Sequence, residues 1–314
     1  MKRLASALWH GKGLRHLPIA VGADDAPPVR LELERAGHAP LDVSAAHVPV
    51  SMRPLVLGVR LDDARRDAPT ARCTLAVRDA ASGARLGEIT LDPVGEVPLA
   101  AGTLSLFRTV ACRNATAPAH VRRWRYALAW RHAVRAPARG DGLCMSAADL
   151  RCLNVYYTWP RRVFLVGAAF EGRTNLFPMD LVGRVSPDDF TLALRATSPA
   201  IELMERSRVI AMSAAPAEHL TEVYALGVHH RKPTVDTSTL PFDVRASALH
   251  GLPVLAQGFT RELTVRAVHR VGSHVLFVCR VDAERGRTTR QIAHVSQMYA
   301  EWLAKRGRAL DRLG

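Results

Sequence analysis

Residues 162 to 199 read RVFLVGAAFEGRTNLFPMDLVGRVSPDDFTLALRATSP, and this stretch decides the fold of the second half of the chain. It holds three apolar segments, at 162–170, 174–185 and 190–196, with Gly, Pro and Asp in the turns between them. Short apolar segments bounded by such turns are typical of β-strands. Pro178 removes a backbone donor from the middle segment, so we expect an irregular second strand there.

The residues that follow alternate between helix and strand patterns. In SPAIELMERS (198–207), Ser198 stands at a cap position and Pro199 at the first helical position, which predicts a short helix. Further elements are predicted as a strand at 209–214, a helix at 219–229, two or three strands within 253–285, and a helix at 288–310. The last of these has apolar residues at 3- and 4-residue spacing, so it is predicted to be amphipathic, either packing on the core or contacting a second copy of the chain.

The first 145 residues have the pattern of a β-rich domain of unknown role. Strand candidates stand at 54–61, 72–79, 85–91, 103–112 and 122–134. Short strands at this spacing favour an antiparallel β-sandwich-like domain or an open barrel. APARGDG (136–142) is rich in Pro and Gly and predicts a boundary between domains at 1–145 and 146–314. Immediately after it, Ser146 is placed to cap a short helix.

Composition is consistent with two globular domains. The chain has 314 residues, 48% of them apolar and 23% charged, which is enough for sizeable cores. Its formal charge of +14 is spread evenly along the chain and comes almost entirely from arginine. A solvated arginine surface explains this charge, and attraction for an anionic ligand such as a dinucleotide is the alternative.

One basic and aromatic cluster, RRWRYALAWRHAVR (122–135), has the residue types that contact nucleic acid. Its apolar residues Trp124, Tyr126, Leu128 and Trp130 alternate with the others, which is typical of a half-buried strand. We therefore do not expect nucleic acid as a partner.

The sequence has no clear pattern of a membrane span, a metal site or a disulfide. No apolar run approaches the roughly 20 residues that span a bilayer, and the N-terminus lacks the apolar region of a signal peptide, so a cytoplasmic protein with no membrane contact is expected. The five cysteines are scattered, with no CxxC pair, and are expected to be buried free thiols in a reducing compartment. The histidines do not stand at ligand spacing with them, so no metal site is predicted.

Five short motifs stand in a recognisable order. They are Pro160-Arg161-Arg162-Val163, Gly172-x-x-Asn175-x-x-Pro178, Val185-Ser186-Pro187, Arg195-x-Thr197-Ser198-Pro199 and Gly272-Ser273-His274. With this order and spacing, the stretch from about Asn154 to Glu284 resembles the flavin reductase-like family, whose domain is an FMN-binding split β-barrel and usually a homodimer. The resemblance covers under half of the chain and says nothing about residues 1–145.

Two positions depart from the family pattern. Met179-Asp180 stands where the family often has a small Ser or Thr, which puts a carboxylate near the expected edge of the flavin ring. Gly-Ser-His at 272–274 replaces the commoner Gly-Asp-His, and this removes an acid that would orient the imidazole of His274.

The resemblance implies a site for the FMN phosphate just after the third strand. Arg195 would offer a fork of N–H donors, and Thr197 and Ser198 would offer hydroxyls. The free N–H groups at the start of the helix beginning at Pro199 would add positive partial charge. From the residues alone, Ser198 as a simple helix cap and Arg195 in a surface ion pair remain open.

The isoalloxazine ring needs an apolar slot with backbone groups at its polar edge. The resemblance assigns this role to the turn after the second strand, with the cofactor-binding residues Asn175, Pro178, Met179, Asp180 and Leu181. Proline fixes φ and leaves neighbouring N–H groups turned away from sheet pairing, which suits such a slot. An ordinary bulged edge strand is the alternative.

Three basic residues complete the expected site. The resemblance gives His274 the catalytic position, in contact with the nicotinamide of NADH or NADPH, although a lone histidine at a strand start is often structural. His230 and Lys232, in GVHHRKPTVD, would form a basic rim for a phosphate, and a solvated loop is the alternative.

The resemblance implies an FMN-dependent NAD(P)H:flavin oxidoreductase that passes electrons to flavin, a partner oxygenase or another acceptor. The cofactor carries that chemistry, so no protein nucleophile is required. Two alternatives stay open: an FMN-binding electron carrier or sensor without efficient NAD(P)H turnover, and a basic binding module that has lost its cofactor.

Overall fold

Two antiparallel sheets of seven strands each form most of the fold in this computed structural model, which describes residues 14–61, 71–135 and 145–314. The predicted fold class, mainly β with a few helices, is confirmed. The predicted linker at 136–142 and the thiol of Cys144 lie outside the described residues.

The first half of the chain supplies eight strands, of which the last seven form the first sheet. They are β1 (His16–Gly22), β2 (Val29–Glu34), β3 (Leu41–Asp42), β4 (His47–Met52), β5 (Leu55–Leu61), β6 (Cys73–Asp79), β7 (Arg85–Pro98) and β8 (Thr103–Asn114). The strand order of the first sheet is β3-β2-β6-β7-β8-β5-β4. The predicted strands from 54 to 112 correspond to β5 to β8, whereas β1 to β4 were not predicted.

The second half supplies eleven strands. They are β9 (Arg161–Arg162), β10 (Phe164–Phe170), β11 (Arg173–Met179), β12 (Val182–Arg184), β13 (Asp189–Arg195), β14 (Val209–Ala214), β15 (Val244–Ala246), β16 (Pro253–Leu255), β17 (Thr260–Val271), β18 (His274–Arg285) and β19 (Arg290–Ser296). The second sheet has the order β11-β10-β14-β17-β18-β13-β12, and a smaller sheet has the order β1-β19-β9.

Five α-helices lie among these strands: α1 (Ala119–Arg135), α2 (Ala147–Tyr156), α3 (Ala200–Ser207), α4 (Leu220–Ala225) and α5 (Gln297–Ala304). A 3-10 helix, Leu226–Arg231, continues α4. As predicted, Ser146 caps α2, because its hydroxyl accepts a bond of 3.0 Å from the Asp149 N–H. None of the described helices is both long and apolar enough to cross a bilayer.

The two seven-stranded sheets have the same topology. If β2 to β8 are replaced in turn by β10 to β14, β17 and β18, the strand order of the first sheet becomes that of the second. The pairing register agrees as well, since the end of β5 faces the start of β8 at Leu61–Thr103, and the end of β13 faces the start of β18 at Arg195–His274. The chain therefore contains one structural unit twice, a repeat that was not predicted from the sequence.

The two sheets meet along the edge strand of the first. β4 is buried along its whole length and packs against β12, β13 and β18 of the second sheet. At Gly183 the strands come so close that a Cβ atom would lie 3.2 Å from the carbonyl oxygen of His47. The division at residue 145 stays a prediction, and β1 pairs along its whole length with β19 in the other half.

The prediction of a strand at 122–134 is wrong, because this segment lies within the 17-residue helix α1. Ala and Arg predominate there, and both are good helix formers. The alternation that suggested a strand is not a burial pattern: Trp124 and Trp130 are 53% and 60% exposed, whereas Ala129 is buried.

The helix predicted at 288–310 is wrong in its first part, because 290–296 is the strand β19 and only 297–304 is helical. β19 is the central strand between β1 and β9, so Ile292, Ala293 and Val295 are buried. Tertiary pairing with β1 therefore overrides a helical spacing of apolar residues.

Replacement of Gly167 by alanine tests how closely the β15–β16 hairpin packs on β10. A Cβ atom at Gly167 would collide with the backbone carbonyl of Pro253. We expect Gly167→Ala to lower the free energy of unfolding by about 2–4 kcal/mol in urea titrations. The matched control is Gly227→Ala, whose Cβ atom meets nothing within 4 Å. Equal stability of the two variants would contradict this packing.

Candidate functional site

Positive charge is concentrated where β13 ends and β18 begins. Arg195 and His274 face each other across these two strands. His230 and Arg231 lie on the 3-10 helix, and burial, followed by the charges of Arg195 and Arg231, lowers the pKa of His230. Ser198 connects the two regions, because its hydroxyl donates to the carbonyl of His230 at 2.5 Å. These four basic residues, Arg195, His230, Arg231 and His274, are called the cationic groove below.

Arg195 carries a charge that no carboxylate balances within the part of the chain that the structure describes. Its guanidinium is half-buried, and burial together with the nearby Arg231 lowers the pKa of Arg195. Most other arginines of this sheet are paired with carboxylates, such as Arg173 with Glu202, Arg184 with Glu284 and Arg266 with Asp189. An uncompensated guanidinium beside a second one attracts anions.

His274 is 3% exposed and lies beneath the turn that joins β4 to β5. Its Nδ1 accepts from the Met52 N–H at 3.4 Å and lies 2.9 Å from the hydroxyl of Ser273. Burial, and then the charge of Arg195, lower the pKa of His274 to about 4. The ring is therefore neutral at pH 7, with its proton on Nε2, and the predicted catalytic role remains a prediction.

Asn175 holds the loop that carries the basic rim. Its buried amide donates to the carbonyls of His229 at 3.1 Å and Lys232 at 2.8 Å. Two buried polar atoms beside this loop, Asn175 Oδ1 and His230 Nε2, have no partner among the described residues. The Lys232 side chain is exposed. The structure thus brings Asn175 beside the loop that carries His230 and Lys232, and the contact of these residues with a cofactor stays a prediction.

The start of α3 differs in detail from the prediction. Its N-cap residue is Pro199, with no side-chain cap bond, so Ser198 is not the cap. The hydroxyl of Ser198 is used instead by the carbonyl of His230, whereas Thr197 is exposed. Thr197 therefore offers the hydroxyl at this helix start that has no hydrogen-bond partner among the described residues, and no side chain caps the first N–H groups of α3.

The residues predicted to line a ring slot lie in different environments. Met179 and Leu181 are buried in the core, at 7% and 9% exposure, and Pro178 pairs with Leu165 of β10. Their contact with a ring stays a prediction. The Leu181 carbonyl accepts from the Ala193 N–H at 2.9 Å, which extends the pairing of β12 with β13 by one residue.

Asp180 lies in a polar network that was not predicted. Its Oδ2 accepts from the Tyr157 hydroxyl at 2.9 Å and from His294 Nδ1 at 2.7 Å, and His294 Nε2 lies 2.9 Å from the Tyr224 hydroxyl. Burial raises the pKa of Asp180, but the bonds from His294 and Tyr157 and the charge of Arg161 outweigh it and lower this pKa to about 2. The unusual acid at 180 was the only sequence signal for this network.

The first sheet lacks the cationic groove at the equivalent positions. Leu61 stands where the second sheet has Arg195, and Thr103 stands where it has His274. Both are buried in the first sheet. The two copies of the unit have therefore diverged, and only the second presents charge at this point.

The depressed pKa of His274 predicts how stability changes with pH. Below about 6.5 the unfolded chain takes up a proton on this ring, whereas the folded chain does so only near pH 4. The contribution of His274 is complete above pH 6.5 and falls by roughly 2–3 kcal/mol as the pH drops to 4. In urea titrations, the free energy of unfolding should fall less between pH 7 and pH 4.5 in His274→Gln than in the wild type. The control His120→Gln, an exposed site on α1, should follow the wild type. A ring that titrates near pH 6.5 by NMR would contradict this.

Comparisons with known proteins give matches to solved structures alone. No family model and no curated protein matches the sequence. A flavoredoxin from Methanosarcina acetivorans is 21% identical over 41% of this chain and 69% of its own, with a TM-score of 0.37. An FMN-binding protein from Thermus thermophilus is 28% identical over 42% and 73%, with a TM-score of 0.37. An NADH:FAD oxidoreductase from Streptomyces globisporus is 17% identical over 47% and 88%, with a TM-score of 0.42.

Each of these structures is matched by less than half of this chain, at low identity. The fold assignment therefore relies on the chain itself, where seven antiparallel strands curl into a sheet whose edge strands β11 and β12 are joined through Asp180 and Leu181. The second half of the chain has a flavin reductase-like split-barrel fold.

Proposed function

We propose that the second barrel binds FMN by its phosphate in the cationic groove, and that the protein is a flavin reductase-like oxidoreductase supplied with electrons by NADH or NADPH. The observation that carries this proposal is the positive charge of Arg195, which has no carboxylate partner in the described chain and lies beside Arg231 and His230. A phosphate dianion is the kind of ligand that such a cluster attracts.

The groove offers the donors that a phosphate requires. Arg195 offers the N–H groups of its guanidinium, and the exposed Thr197 offers a hydroxyl. The first N–H groups of α3 have no side-chain cap, so they add positive partial charge at the same place. His230 Nδ1 donates to the Gly227 carbonyl, so Nε2, buried without a partner among the described residues, would donate to the phosphate only after the ring takes up a proton.

The residues that lead away from the groove would hold the rest of the cofactor. Pro178, Met179 and Leu181 supply the apolar surface, and Asp180 remains ionised in its network. Asn175 fixes the loop at 229–232 beside β11, so it would position the rim rather than touch the ring. Bound flavin supplies hydride acceptance and electron transfer, and the protein supplies binding and orientation.

The proposal rests on the groove and the order of motifs, and not on the structural matches. Some of the matched structures are described as flavin reductases, and one as a component of nitrilotriacetate monooxygenase. By analogy, free flavin or a partner oxygenase would accept the electrons here.

The expected homodimer has an internal counterpart in this chain. The first sheet repeats the topology of the second and covers it through β4. We propose that the first barrel takes the place of a partner subunit at this face, which would give residues 1–145 a role. A homodimer formed through another surface remains compatible with this arrangement.

The covering of His274 favours a second candidate function, an FMN-binding electron carrier or sensor. Ser273 donates its N–H to the Arg53 carbonyl at 2.9 Å, and Met52 donates to His274. The β4–β5 turn therefore lies where a nicotinamide would have to approach this ring. Slow reduction by NAD(P)H would follow if the turn stays closed.

Removal of the phosphate contacts tests the proposal. The double variant Arg195→Ala, Thr197→Ala should bind FMN at least a hundredfold more weakly, since two contacts of about 1.5–3 kcal/mol each are lost. The control is Arg285→Ala, an exposed arginine at the far end of β18 from His274. Fluorescence titration of FMN with each refolded protein gives the dissociation constants. Unchanged FMN affinity in the double variant would place the phosphate elsewhere.

Anaerobic reduction separates the two candidate functions. If the protein turns over NAD(P)H, the flavin absorbance near 450 nm should bleach rapidly after NADH or NADPH is added. If it is a carrier, dithionite should bleach the bound flavin while NAD(P)H does so slowly or not at all. A protein that takes up no FMN would exclude both.

A further inference from the structure

A cleft of about 640 Å³ lies beside the second barrel and has no part in the proposed flavin site. Its walls come from residues 19–28, from 159–162, from β12 and from 309–311. The volume is in the range of small-molecule sites.

The cleft is separated from the cationic groove by both position and direction. Phe190 lines the cleft and Arg195 belongs to the groove, and both are on β13. Five residues along a strand correspond to about 17 Å, and an odd separation directs the two side chains to opposite faces of the sheet. A ligand in the cleft would therefore occupy a second site.

Hydrogen bonds between two distant segments hold the outer wall in place. Ala20 donates to the carbonyl of Asp311 at 2.8 Å, and Leu313 donates to that of Pro18 at 3.0 Å. β1, to which Ala20 belongs, is paired along its length with β19. The wall is thus part of the folded sheet and not a loose loop over the barrel.

Arg261 is the decisive side chain of the cleft. It is 8% exposed, and its guanidinium carbon lies 4.3 Å from the ring centroid of Phe190 and 5.7 Å from that of Phe164. Its Nε donates to Glu284 at 2.6 Å, but its Nη1 is buried with no partner in the described chain. A buried N–H group of a guanidinium is rarely left unsatisfied, and none of the described residues supplies an acceptor for this one.

The charges around the cleft favour an anion. Four guanidinium groups line it, those of Arg161, Arg162, Arg184 and Arg261, against the carboxylates of Asp25 and Asp311. Asp311 is itself paired with Arg290, and Glu284 is shared by Arg184 and Arg261. A net positive charge therefore remains around the cleft.

The remaining walls are apolar and include the aromatic rings of Trp159 and Phe164. Ile19, Val21, Trp159, Phe164 and Leu310 line the cleft between the arginines. A ligand that fits would bury an apolar, planar body against these side chains and present one anionic group to Arg261.

We propose that this cleft binds an aromatic monocarboxylate, with the carboxylate accepting from Arg261 Nη1 and the ring packed against Trp159 and Phe164. The proposal does not depend on flavin binding, because the cleft and the groove share no residue.

The test uses 2-naphthoate as the probe and neutral 2-naphthamide as its matched control, titrated into the full chain by calorimetry. Naphthoate should bind at least tenfold more tightly than naphthamide, and Arg261→Met should remove this preference. Arg184→Gln, a change at a more exposed arginine that pairs with the same glutamate, should weaken naphthoate binding several-fold and serves if Arg261→Met does not fold. The control Arg195→Ala should leave naphthoate binding unchanged.

Three results would overturn the proposal. One is equal affinity for naphthoate and naphthamide, and another is an unchanged affinity for naphthoate in Arg184→Gln and in any folded Arg261→Met protein. The third is competition between naphthoate and FMN, which would mean that the two ligands share one site. Failure of FMN to bind, with naphthoate still bound, would refute the proposed function and leave this proposal intact.

Discussion

The positive charge at the end of β13 is the constraint on which the account of this molecule depends. Arg195 is half-buried beside Arg231 and has no carboxylate partner in the described chain, although most arginines around it are paired. Placing like charges together without compensation is unfavourable, so a site that keeps them is suited to an anion. The equivalent position in the first sheet is Leu61, so the shared topology does not itself require a charge there.

The repeat of the seven-stranded unit explains how the site is enclosed. β4 of the first sheet packs across the second, and its turn reaches the backbone beside His274. In the same contact, the Met52 N–H donates to His274 Nδ1. The contact also buries the imidazole, and burial lowers the pKa of His274. One packing interaction thus joins the two halves and decides how open the candidate site is to a second substrate.

Much of the second barrel could be predicted from the sequence, because apolar segments and turn residues alternate clearly between 162 and 214. Arg195, Ser198 and His230 lie close together in the structure, and their role at a phosphate stays a prediction. The network around Asp180 could not be predicted, since Tyr157 and His294 are distant in sequence and meet it only through the fold. The prediction at β19 was wrong for the same reason, because this segment is a strand through its pairing with β1. The cleft could not be predicted either, because residues near 20 and 310 meet only in the folded chain.

The central claim is that the groove recognises a phosphate and not merely a flavin ring. The most direct measurement compares the equilibrium binding of FMN with that of riboflavin, which has the same ring but no phosphate, at two salt concentrations. If the groove binds the phosphate, FMN should bind far more tightly than riboflavin. Added salt should weaken FMN binding and leave riboflavin binding almost unchanged. Equal affinities for the two ligands, or the absence of any salt effect, would contradict it.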